Sequence, residues 1–68
     1  MGLDHIGYAL DRGLEVDAVY LTNGWKYYEV DLIERTKDEG VYLVSYYHNG
    51  NSLTAAVSGF DVQSLRTK

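Results

Sequence analysis

The sequence predicts a small all-β domain, a strongly bent antiparallel meander curled into a partly closed barrel. Three observations carry that expectation. Apolar residues recur with a period of two through most of the stretch from Leu14 to Val57. Two Asn-Gly dipeptides, Asn23-Gly24 and Asn49-Gly50, fall between alternating runs, which is a strong hairpin signal. The 68 residues contain no proline to break a ladder and no cysteine to staple one. A chain this short buries only about 60% of its unfolded surface. An open sheet would leave an edge and an apolar face in water, and curling removes both.

The elements follow in order. Leu3, Ile6 and Leu10 are spaced by three and four, so residues 1–12 form an N-terminal extension that either makes one or two helical turns or frays. Residues 13–68 carry the barrel. The first strand sets Val16, Ala18 and Tyr20 against Glu15, Asp17 and Val19. After Asn23-Gly24, Tyr28, Val30 and Leu32 point inward, and Tyr27, Glu29 and Asp31 outward. Thr36 to Gly40 is a polar loop. The third strand sets Tyr42, Val44 and Tyr46 against Val41, Leu43, Ser45 and Tyr47. The fourth sets Leu53, Ala55 and Val57 against Thr54 and Ala56. Ser58 to Ser64 suits a single helical or 3-10 turn, and Leu65-Arg66 a short closing strand. The expected core is Val16, Ala18, Val30, Leu32, Tyr42, Val44, Leu53, Ala55 and Val57, with Leu65 at one end. The whole reads as a five-stranded, SH3-like barrel with a 3-10 turn before its last strand.

Composition narrows the function. The absence of cysteine excludes cysteine-based zinc and redox sites. His5 and His48 stand far apart, with no third ligand at a metal-binding spacing. There is no Gly-x-Ser-x-Gly turn and no glycine-rich phosphate loop. The sequence therefore predicts neither an enzyme nor a cofactor. A net charge of −4, from ten acidic and six basic residues, argues against nucleic acid and favours basic peptides. No stretch approaches the roughly 18 apolar residues of a membrane span, and the first residues lack a secretory signal, so the expected compartment is inside the cell.

Aromatics supply the positive signal. Tyr20, Tyr28 and Tyr46 share inward parity and lie at strand ends, which a meander brings to one rim. Aromatic faces around a gap attract a methylated ammonium, each contact being worth roughly 0.5–2 kcal/mol. Residues 13–66 resemble a Tudor domain. The resemblance lies in the Val16-Asp17-Ala18-Val19-Tyr20 strand, the Asn23 to Val30 hairpin, the Val41 to Tyr46 strand, the Gly50-Asn51 turn and the Asp61 to Arg66 ending. It implies a nuclear, non-catalytic reader of methylated lysine or arginine on basic peptides such as histone tails. The implied aromatic cage takes its walls from Tyr20, Tyr28 and Tyr46, with Trp25 at its lip and Asn51 as the polar residue. The family often has a further aromatic in the turn after the third strand; His48 stands beside that turn here. The competing reading is a degenerate barrel that acts as an interaction scaffold without methyl recognition. In it, outward Tyr27, Val41, Leu43 and Tyr47 form the contact face, buried by pairing as a homodimer or tandem repeat.

Overall fold

The computed structural model describes residues 3–68 and consists mostly of strands. Helix α1 (His5–Asp11) is followed by β1 (Val16–Leu21), β2 (Lys26–Tyr27), β3 (Val30–Arg35), β4 (Val41–His48) and β5 (Asn51–Ser58). A 3-10 turn (Gly59–Asp61) then leads into β6 (Val62–Thr67). The strands form two three-stranded antiparallel sheets, ordered β2-β1-β6 and β3-β4-β5.

The all-β class and the 3-10 turn agree with the sequence reading; the strand count and the closure differ. Among the described residues six strands replace five, and no hydrogen-bonded ladder joins the two sheets into a closed barrel. The expected second strand breaks between Tyr27 and Val30, where Glu29 adopts a left-handed φ of 53° and turns the chain from one sheet into the other. Glutamate carries no turn signature, so alternation alone ran through the break. The hairpin between β4 and β5 follows its sequence signal. Asn49 and Gly50 both have positive φ, 53° and 79°, as a two-residue primed turn requires.

Two extra residues reset which side chains face the core. Between Val16 and Ala18, β1 advances two residues while β6 advances one, from Thr67 to Arg66, which leaves Asp17 unmatched. Between Val30 and Leu32, β3 does the same against Tyr46 and Ser45, leaving Asp31 unmatched. Such a bulge shifts every following side chain to the other face. Leu32, expected inside, is therefore 51% exposed, and Ile33 packs against the core in its place. Val19, expected outside, is fully buried. Leu53 is a third correction: it lies opposite Tyr46 on the core side, but β5 has no neighbour other than β4 and leaves it half-exposed. Val16, Ala18, Val30, Tyr42, Val44 and Val57 are buried as expected, and Ala55 is partly so.

A seven-residue helix has no stability of its own. Ile6 and Ala9 are buried in the same cluster as Val16, Val19 and Val44, so helix and strands share one core. The helix docks through Asp4. Its Oδ1 accepts the Gly7 N–H at 2.9 Å, capping the first turn, and its Oδ2 accepts the Tyr42 O–H at 2.5 Å. Burial of the Tyr42 phenol, together with that hydrogen bond, raises its pKa above the ordinary value of about 10. The folded chain thus holds the proton that the unfolded chain releases near pH 10. The resulting stabilisation is complete below that pH and is lost as pH rises through the folded value. Tyr42→Phe is expected to cost about 1.5–3 kcal/mol at pH 7. Above pH 10 the gap between wild type and variant should narrow in urea melts as the phenol ionises.

Candidate functional site

The tyrosines are gathered by strand pairing, in a grouping other than the sequence suggested. Tyr20 lies opposite Lys26 in the β1–β2 ladder and opposite Ser64 on β6. Its ring meets that of Tyr28 edge-on, with centroids 5.9 Å apart and planes at 79°. Tyr46, on β4 opposite Val30 of β3, packs on Tyr27 instead, with centroids 4.8 Å apart. Tyr27 sits opposite Val19 and against the core, whereas Tyr28 is 46% exposed. The orientations of these two neighbours are therefore the reverse of the expected ones. Alternation extended back from Val30 passes through Glu29, whose left-handed backbone breaks the period. Among the described residues Tyr46 makes its aromatic contact with Tyr27 and none with Tyr20 or Tyr28.

The remaining predicted residues take separate places. Trp25 follows the first turn and is 63% exposed; its N–H donates to Asn23 Oδ1 at 2.9 Å, an Asx turn that fixes the backbone there. His48 and Asn51 face each other across the β4–β5 turn, both exposed. Neither is tied to the Tyr20–Tyr28 pair by an aromatic contact or a hydrogen bond among the described residues.

Two residues that sequence reasoning left out complete the Tyr20–Tyr28 site. The Arg66 guanidinium carbon lies 6.0 Å from the centroid of the Tyr28 ring. Asp17 holds that guanidinium by an Nε–Oδ2 hydrogen bond of 2.9 Å and an Nη2–Oδ2 contact of 2.7 Å. Simple alternation turns Asp17 outward, but it is the bulged residue of β1, so alternation does not fix its direction. Arg66 pairs with Ala18 in the same ladder. Ala18 is fully buried but lies outside the central cluster, opposite Arg66. The only sequence signal was a lone arginine in the closing strand, a residue type that is usually solvated surface.

Chemically, the site is a half-exposed aromatic face, a second ring at its edge, a cation against it and a carboxylate behind the cation. It lacks a nucleophile–base pair, and no group of three metal-binding side chains occurs among the described residues. A separate open cleft of about 580 Å³ lies between α1 and the loop 36–40. Its rim mixes Asp4, Asp11, Arg35, Lys37, Asp38 and Glu39, and Arg35 is already paired with Asp11 at 2.5 Å. No protein-family model, curated protein or solved structure matches this chain.

Proposed function

We propose that the chain is a non-catalytic binding module, SH3-like and Tudor-type in its arrangement, that takes a methylated lysine or arginine of a basic peptide on the Tyr20–Tyr28 platform. One observation carries the reading: Tyr28 already receives a cation, Arg66, which Asp17 holds in place. A cation delivered by a partner replaces Arg66 against the ring and inherits the Asp17 carboxylate. Exposed Trp25, on the hairpin that carries the ring, adds a further apolar face for methyl groups. The acidic balance of the chain supports a basic peptide as partner, and the proposed peptide is a histone tail, met in the nucleus.

Calorimetric titration of a methylated basic peptide tests this. Tyr28→Ala should weaken binding by about 2- to 30-fold, the worth of one cation–aromatic contact. Arg66→Gln should tighten it, because the internal competitor is gone while Asp17 remains. Weaker binding on Arg66→Gln would show that the arginine serves the ligand rather than standing in for it.

A second reading is favoured by the position of Tyr46, which packs on Tyr27 and leaves the three expected cage walls divided. In that reading the chain is a protein-interaction scaffold indifferent to methylation. It contacts its partner through Leu32, Leu43 and Tyr47, which are exposed on the outer side of the β3-β4-β5 sheet. Equal affinity for modified and unmodified versions of one peptide would decide for it.

A further inference from the structure

We infer that the free edge of β5 is a self-association surface, on which a second copy of this chain pairs antiparallel through its own β5. Two three-stranded sheets would then become one sheet of six. The four sheet edges differ in how they are guarded. β2 has two residues. β3 carries the unmatched Asp31, with Glu34 and Arg35 beyond it. β6 has a register shift between Val62 and Ser64 and carries Arg66. Shortness, bulges and charges are the devices that keep edges from pairing. β5 has none of them: it runs eight residues, Asn51–Ser58, without a charge, a proline or a register irregularity.

The occupant follows from charge. Copies of a chain with net charge −4 repel one another wherever acidic side chains meet. From Val41 to Phe60 the sequence holds no Asp, Glu, Lys or Arg, so β5 and the strand behind it are neutral ground for such a meeting. An antiparallel strand is also self-complementary about a two-fold axis, the commonest symmetry of homo-oligomers. A two-fold at Thr54 sets each Leu53 beside Ala55 of the other copy, large against small on the core side. That contact covers the leucine that β5 leaves half-exposed in a single chain. Such an edge contact is small, so the dimer is of the weak, concentration-dependent kind.

The test is sedimentation equilibrium of the full chain from about 10 μM to 1 mM, with Thr54→Lys and Thr54→Glu beside the wild type. Thr54 is exposed on the outer side of its strand, so both variants keep the core intact, which circular dichroism verifies. The expected result is a monomer–dimer equilibrium for wild type and monomers for each variant alone, where like charges would face across the axis. Mixing the two variants should restore a dimer. A wild type that stays monomeric at 1 mM, undiminished association in Thr54→Lys, or assembly into rings or fibres would each overturn the inference.

Discussion

Ile6→Ala is expected to remove about 2–4 kcal/mol of stability, because it empties a fully buried position between α1 and the strands. A domain of this size has roughly 3–10 kcal/mol in total. The variant should therefore lose a large share of that total, with its urea midpoint well below that of the wild type. Leu3→Ala, three residues earlier at a 72% exposed position, should leave the midpoint almost unchanged. The contrast matters because both residues stand in the same apolar spacing in the sequence. An Ile6→Ala midpoint equal to that of Leu3→Ala would mean that the helix is not docked in solution.

The second large effect belongs to a glycine chosen for space rather than for backbone freedom. A methyl group at position 59 would stand 1.9 Å from Asp4 Oδ1 and 3.0 Å from the Tyr42 ring. Gly59→Ala must push Asp4 aside, breaking both the helix cap and the bond from the Tyr42 hydroxyl. A cap is worth about 1 kcal/mol and a hydrogen bond to a charged group about 1.5–3 kcal/mol, so the expected loss is roughly 2–4 kcal/mol. Asp4→Ala removes the obstructing oxygens and the two interactions together. Adding Gly59→Ala to Asp4→Ala should therefore cost little more, and a double-mutant cycle over thermal melts measures that coupling. Additive losses would place the strain elsewhere than at Asp4.

The parts of the fold that sequence made legible are those with local chemistry. Asn49-Gly50 specified its turn because only residues that tolerate positive φ fit it. Val44, Val57 and Tyr42 were placed in the core correctly because β4 and β5 pair without a slip. Apart from Leu53, left half-exposed at a sheet edge, the departures lie at three acidic residues that look like surface: Asp17, Glu29 and Asp31. Two are bulges and one is a left-handed kink, and each adds or rotates a single residue in a period-two pattern. That sufficed to exchange Leu32 with Ile33, bury Val19 and reverse Tyr27 and Tyr28. The site suffered most because it sits beside the kink. Tyr20 and Tyr28 were named and do meet, but Arg66 is 49 residues from Asp17, and only the β1–β6 ladder brings them together.

The most direct test of the proposed function is a proton–nitrogen NMR titration of the chain with one histone-tail peptide. The peptide would be prepared unmodified, with mono-, di- and trimethyl-lysine, and with dimethyl-arginine. The proposal predicts shifts selective for the methylated forms at the Trp25 indole, the Arg66 Nε–H and the backbone of Tyr20 and Tyr28. Silence at those resonances across the whole panel, in a sample whose spectrum is that of a folded domain, would contradict it.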